Sequence, residues 1–251
     1  MLDLAFLKKF VAEGNKTVFP EMLDIDQRLT NIPFLVVPDT IIEPDDWKLF
    51  WELWNKHKNF MTPGNDKSSA IWETLGIYKN PSILLEDIMH PQFTHPWDDW
   101  LNIFPKMFEG IFSCMPYEII THITICSNIK KVVPHIDCTK TFYPFPNCLR
   151  VMLHDDNPAP SFWCTPWPQK YLANTISERN FGLADRYVPT QEITDKQYVI
   201  LPKTSNTFVF SNGEFLHGAD YHGNTKLLLL VHGVPKIDEW KNKLYSFISK
   251  Q

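Results

Sequence analysis

Glu118-Ile-Ile-Thr-His-Ile-Thr-Ile-Cys126 is β-branched and largely apolar, and it divides the chain into two textures. Such a run reads as a buried strand. Upstream, apolar residues recur at helical spacing. Downstream come short strand patterns at 131–133, 148–153, 198–201, 207–211 and 226–232, separated by Pro, Gly, Asn and Asp turn signals. Helices first and short strands afterwards predict a mainly β fold with N-terminal helices, an all-β barrel or jelly roll buttressed by helices. The chain divides into a helical support region, 1–116, and a β core, 117–251, within one structural domain.

On the upstream side, Leu2, Phe6, Phe10 and Val11 predict a short helix over residues 1–12. Pro33-Phe-Leu-Val-Val-Pro38 is an extended stretch. Glu43-Pro44-Asp45-Asp46 opens a helix, with acids where the helix dipole favours them, and Trp47, Phe50, Trp51 and Trp54 line one of its faces. That aromatic stripe reads as core. Residues 61–81 read as a polar loop. A second amphipathic helix spans 97–112, carrying Trp97, Trp100, Leu101, Phe104 and Phe108, with a break at Pro105. Downstream, the segment 158–197 is long and aperiodic, with Trp163, Trp167, Tyr171, Phe181 and Tyr187 among Lys170, Arg179 and Arg186. Its aromatics suggest a lid-like, partly ordered insert; a surface excursion fits the same residues.

The composition narrows the class. A chain of 251 residues with an ordinary apolar share can bury a large core. A net charge of −5 and the lack of a basic run argue against nucleic acid as a partner. Five cysteines (Cys114, Cys126, Cys138, Cys148 and Cys164) without a C-x-x-C pair suggest free thiols in a reducing compartment. No secretory pattern opens the sequence and no apolar run could cross a bilayer, so a cytoplasmic location without a membrane partner is expected.

Two stretches carry chemistry. Val133-Pro-His-Ile-Asp137 presents an imidazole and a carboxylate two residues apart, on one side of an extended strand. Asn212-Gly-Glu-Phe-Leu-His-Gly-Ala219 presents a second imidazole, His217. Two histidines and one carboxylate that leave coordination positions open form the facial triad of non-haem Fe(II) oxygenases. His-x-Asp alone is a weak motif. It occurs again at His154-Asp-Asp156, where the following Asn-Pro reads as a turn after a strand, so His135 and Asp137 are taken as the site. His217 also fits as a polar group beside two glycines in a hairpin turn, but its context favours the site: Thr207–Ser211 reads as a strand, Asn212-Gly213 as a turn and the run from residue 226 as a further strand, which puts His217 and the cation Lys226 into one cavity. His232 is expected as a strand residue, although exchange with His217 stays open. Lys226, in front of four leucines, would be costly to bury without an anionic partner.

In this order, His135-x-Asp137, His217 and a cation nine positions later at Lys226, the chain resembles the 2-oxoglutarate/Fe(II)-dependent dioxygenase superfamily over residues 118–234. It is most similar to the aspartyl/asparaginyl and free-proline hydroxylase groups; Cys148-Leu-Arg-Val-Met-Leu153 followed by Asn157-Pro158 resembles the strand and turn after their metal motif. The resemblance implies a double-stranded β-helix (jelly-roll, cupin-like) core. It implies His135, Asp137 and His217 as iron ligands and Lys226 as the anchor of the distal carboxylate of 2-oxoglutarate. It implies Arg150 as a further cation for 2-oxoglutarate or the substrate. Many relatives have Arg where Lys226 stands, and Lys lacks the bidentate fork.

The implied activity is hydroxylation of an unactivated C–H bond with Fe(II), 2-oxoglutarate and O2, releasing succinate and CO2. Arg150, Arg179 and Arg186 suggest a carboxylate-bearing small-molecule or peptidyl substrate, such as an amino acid. Two other readings fit the motifs. One is an oxoacid-independent cupin-type metalloenzyme, either a dioxygenase or a zinc hydrolase. The other is a non-catalytic jelly-roll binding module.

Overall fold

The computed structural model describes residue 29 and residues 32–61, 72–79, 100–128, 131–135, 146–155, 159–165, 175–180, 184–189, 192–211, 215–223 and 226–250. The helix expected over 1–12 lies outside them, as do Trp97, Asp137 and Cys138. In chain order the elements are β1 (Phe34–Val36), α1 (Trp47–His57), β2 (Asn59–Met61), β3 (Trp72–Lys79), α2 (Trp100–Ile103) and α3 (Pro105–Cys114). Then follow β4 (Tyr117–Asn128), β5 (Val132–His135), β6 (Cys148–Asp155), β7 (Phe162–Cys164), β8 (Thr175–Asn180) and β9 (Ala184–Pro189). The last are β10 (Gln197–Tyr198), β11 (Thr207–Phe210), β12 (His217–Ala219), β13 (Lys226–Pro235) and α4 (Ile237–Ile248).

The fold is mainly β, and the strands pair antiparallel. A large sheet runs β1-β11-β6-β13-β4-β3-β2, a small one β10-β7-β12-β5, and β8 and β9 form a separate hairpin. From β4 to β7 and again from β10 to β13, the chain alternates between the two larger sheets, except where the hairpin interrupts it.

Strand alternation decides what each face of the large sheet buries. Ile123 and Ile125 of β4, Leu149 and Val151 of β6, and Leu227, Leu229 and Val231 of β13 point to one face. There they meet Phe50 and Trp54 of α1, Phe108 and Ile111 of α3, and Trp240, Leu244 and Phe247 of α4. Each such side chain contributes about 1.5–3 kcal/mol by leaving water. The opposite face meets the small sheet through Phe162 and Cys164, packed with Phe208 and Phe210. Arg150, Leu228 and Lys226 lie on this second face by the same alternation.

Two consecutive aspartates start two different helices. Asp46 caps α1, its carboxylate accepting from the backbone of Lys48 at 2.9 Å and Leu49 at 3.1 Å. The cap position of α3 is Phe104, which offers no side-chain acceptor, and Pro105 takes the first turn, where its missing N–H costs nothing. Asp45 reaches across instead, accepting from Lys106 N at 3.2 Å and Met107 N at 3.3 Å. Asp45→Ala is therefore expected to lower stability by about 1 kcal/mol, as loss of an ordinary cap does. Urea unfolding measures it.

The structure differs from the sequence expectations in four places. β3 lies inside the stretch expected to be a loop. Its inward face is Glu73, Leu75 and Ile77, and the charged first member, ion-paired with Lys58 at 2.8 Å, hides the alternation. β11 and β13, which the hairpin-like pattern sets next to each other, are not neighbours: β6 lies between them in the large sheet, and Asn212-Gly213 lies outside the described residues. α4 was not anticipated, although Trp240, Leu244 and Phe247 have helical spacing; the helical support thus comes from both ends of the described chain. The segment 158–197 contributes β7 to the small sheet, a strand of three residues and too short to show a period. No helix among the described residues is long and apolar enough to cross a membrane.

Candidate metal centre

β5 and β12 are neighbours, and their Cα register sets His217 opposite His135. The ring centroids are 4.2 Å apart with planes inclined by 51°, and both residues are buried, at 5% and 3% exposure. The ladder is irregular here: the next pair is Ala219 with Val132, so Val133 and Pro134 together oppose Gly218. Pro134 has no N–H to give to the ladder, and a bulge absorbs the extra residue. Bulges of this kind re-aim side chains beside functional sites.

The ring of His217 is fixed by its surroundings. The Phe210 ring stands edge-on at 4.8 Å, and Phe162 lies at 6.1 Å, so His217 faces the space between the sheets. Its Nδ1 lies 3.1 Å from the Phe215 carbonyl oxygen. A carbonyl can only accept, so in this contact Nδ1 carries the proton and Nε2 carries the lone pair. This is how metal-binding histidines are commonly held, with one ring nitrogen tied back and the other presented as donor. Asp137 lies two residues beyond the end of β5, outside the described residues, and among those residues no group of three His, Cys, Asp or Glu is arranged around a single point.

Arg150 of β6 sits beside this pair. Its guanidinium is buried between two of the rings that flank His217, 4.7 Å from the Phe162 centroid and 4.6 Å from that of Phe210. Desolvated cation–π contacts are worth about 2 kcal/mol. Lys226 is buried at the start of β13, on the same face, and its ammonium donates to the Ala159 carbonyl at 2.6 Å. Leu230 is the β13 residue opposite Arg150, so the two cations are separated by four residues of strand, about 13 Å of rise.

The pKa of each of three thiols is pushed up to about 12, first by burial. The nearby Arg150 charge opposes the shift at Cys126 and Cys164, and Lys243 opposes it at Cys114. A folded value above the unfolded one, about 8.5, gives stability that is complete below the unfolded value and is lost as pH rises through the folded one. Iodoacetamide at pH 8 is accordingly expected to spare Cys114, Cys126 and Cys164 in the native protein and to label all three after unfolding. Mass spectrometry of the labelled peptides reads this directly.

The other imidazoles fall elsewhere. His154 stands edge-on to Trp51 at 5.0 Å, against α1. His232 stacks on His122 across β13 and β4, centroids 4.4 Å apart and planes inclined by 12°, so it is His217 that faces His135. His222 is exposed. Sequence reasoning did not identify Phe162, Phe210 or the Phe215 carbonyl as parts of this site. The two rings look like ordinary strand residues, and a backbone acceptor leaves no mark in a sequence.

No protein-family model and no curated protein matches the sequence. Solved structures that match include an oxidoreductase of the 2OG-Fe(II) oxygenase family from Burkholderia pseudomallei. It is 8% identical, with a TM-score of 0.44, over 91% of this chain and 92% of that one. EvdMO1 is 12% identical with a TM-score of 0.40, over 79% of this chain and 46% of that one. HygX from Streptomyces hygroscopicus, with nickel, 2-oxoglutarate and hygromycin B bound, is 12% identical with a TM-score of 0.41, over 86% and 87%. At these values the likeness is distant, and it assigns no residue of this chain a role.

Proposed function

We propose that the chain is a 2-oxoglutarate-dependent Fe(II) oxygenase whose iron is held by His135, His217 and Asp137. The observation that carries the proposal is the register of β5 and β12, which sets two buried imidazoles side by side, one with its Nδ1 proton already committed. That donor set suits Fe(II): neutral imidazoles supply two positions, a carboxylate supplies a third, and the remainder stay open. The alternation of β4–β7 and β10–β13 between two sheets supports a double-stranded β-helix core carrying the site, with the helices as its support.

With 2-oxoglutarate and O2, bound Fe(II) supplies the oxidative decarboxylation that drives hydroxylation of a substrate C–H bond. The residues around it have separate tasks. The Phe215 carbonyl holds His217 in the tautomer that can ligate. Phe162 and Phe210 exclude water from beside the imidazoles and lower the local dielectric. Arg150 is the cation we assign to the oxoacid carboxylate, because it shares both rings with His217; Lys226 is a secondary anchor. The substrate class proposed is an amino-acid-like or peptidyl carboxylate. Arg179 and Arg186 lie on the β8–β9 hairpin and are its further candidate contacts. Replacing Arg179 and Arg186 in turn should raise the KM for such a substrate, and unchanged KM values would remove that assignment.

The test is anaerobic titration of Fe(II)-loaded protein with 2-oxoglutarate, following the weak charge-transfer band of the chelate at about 500 nm, a property of the cofactor complex. The wild type should show the band and His135→Ala should lose it. Arg150→Met should abolish it with metal retained, while Lys226→Met should only weaken it. The opposite ranking of the two cation variants would move the anchor to Lys226. Bound iron without any band would favour an oxoacid-independent metalloenzyme, and a protein that binds no metal would leave the binding module.

A further inference from the structure

We infer that Lys196, Asp220, Tyr198 and Trp163 form a positioning clamp on the outer face of the small sheet, which holds His217 in register with His135 from behind. This rests on the metal-site reading above and adds to it residues that touch neither ligand nor metal.

β12 is three residues long, and its bonding to β5 is interrupted by Pro134 and the bulge opposite Gly218. Side chains alternate, so His217 and Ala219 point to one face and Gly218 to the other. On that other face the indole of Trp163, the Cα partner of Gly218 on β7, lies directly on the glycine. A Cβ at 218 would come to 2.7 Å from Trp163 Cζ2 and 2.9 Å from the Val132 carbonyl, so a side chain there would have to displace the ring or β5. Trp163 is fully buried.

The indole is held down by a charge. The Lys196 ammonium sits 4.8 Å from its ring centroid. Lys196 is fixed in turn by both oxygens of Asp220, at 2.8 and 2.9 Å. Asp220 is the residue after β12, and its own N–H donates to Ser161 just before β7. The Tyr198 hydroxyl of β10 donates to the same carboxylate at 2.6 Å. Glycine backbone, indole, ammonium and carboxylate therefore form a closed circuit that returns to the strand it starts from. It joins β12, β7 and β10, the part of the small sheet that the interrupted β5 pairing leaves least supported.

The charges agree with a tight arrangement. Burial alone would raise the Asp220 carboxyl, but the bonds from Lys196 and Tyr198 outweigh it and hold the group below the usual range. The hydrogen bond to that carboxylate, with burial, pushes the Tyr198 phenol up to about 12. Lys196 and Asp220 are each about one-fifth exposed, and one such pair near the surface adds little to overall stability. The consequence expected of breaking the circuit is loss of geometry at His217 more than loss of fold.

Two readouts on the full-length protein separate this from a merely structural role. One is Co(II) affinity of the metal-free protein, by calorimetry. The other is the Nδ1–H resonance of His217 in 15N-histidine-labelled metal-free protein, identified by its loss in His217→Asn. Lys196→Met and Asp220→Asn should weaken Co(II) binding about tenfold, as partners outside the ligand shell do. They should also broaden the His217 resonance, with circular dichroism unchanged. Lys196→Arg, which keeps both the ring contact and the ion pair, should restore both. Affinity within twofold of wild type together with an unaltered resonance would overturn the clamp. A wild type that binds no Co(II), yet loses the resonance in Lys196→Met, would sink the metal assignment and leave the clamp standing.

Discussion

His217→Asn is expected to abolish metal binding while leaving the protein nearly as stable as wild type. The amide nitrogen of asparagine lies about where Nδ1 of histidine lies, so the donor to the Phe215 carbonyl is kept, whereas nothing replaces Nε2. Partners outside the ligand shell already cost 10–100-fold in affinity, and loss of a ligand should exceed about 100-fold. His217→Ala should lose the metal equally and also be destabilised by about 2 kcal/mol. It leaves the Phe215 carbonyl without its donor and opens a gap against Phe210. Fe(II) or Co(II) titration and urea unfolding of both variants give the comparison. An asparagine variant that still binds metal like wild type would remove His217 from the ligand set.

Trp240→Ala should have the largest effect on stability, about 4 kcal/mol. The indole is fully buried, stands edge-on to the Tyr117 ring at 4.8 Å, and donates from Nε1 to the Pro146 carbonyl at 2.8 Å. Truncation opens a cavity and leaves that carbonyl without its donor. Tyr117 is itself a junction: its hydroxyl lies 3.2 Å from the Asn147 carbonyl and accepts from Leu149 N at 3.2 Å, which joins the start of β4 to the start of β6. Against a total of about 5–15 kcal/mol for an ordinary domain, the loss is severe. Trp240→Phe keeps most of the packing and should cost about 1–2 kcal/mol. Wherever the alanine variant remains folded, its metal affinity should match wild type, because α4 packs on the face of the large sheet away from the histidines.

The legible parts of this chain were those where one local rule governs. The strand at 117–128 and the helix started by Asp46 follow periodicity and capping, and both are present. His135 and His217 were named separately, by spacing and by turn context, and the structure brings them face to face. Pairing partners are less legible, because whether β13 joins β11 or β6 depends on three-dimensional neighbours and not on an Asn-Gly signal between them. Trp163 read as a lid aromatic and is a buried element of the small sheet, since a three-residue strand shows no period.

The central place of β13 has a consequence for synthesis. It lies between β4 and β6, and its leucines pair with β4 residues roughly a hundred positions earlier. At about 5–20 residues per second, β4 waits roughly 5–20 s on the ribosome for its neighbour. During that interval two apolar strands stand at the edge of an unfinished sheet, in the form most prone to associate with other nascent chains. Expression of this chain should therefore respond more strongly to chaperone supply and to slower growth than to changes at its surface.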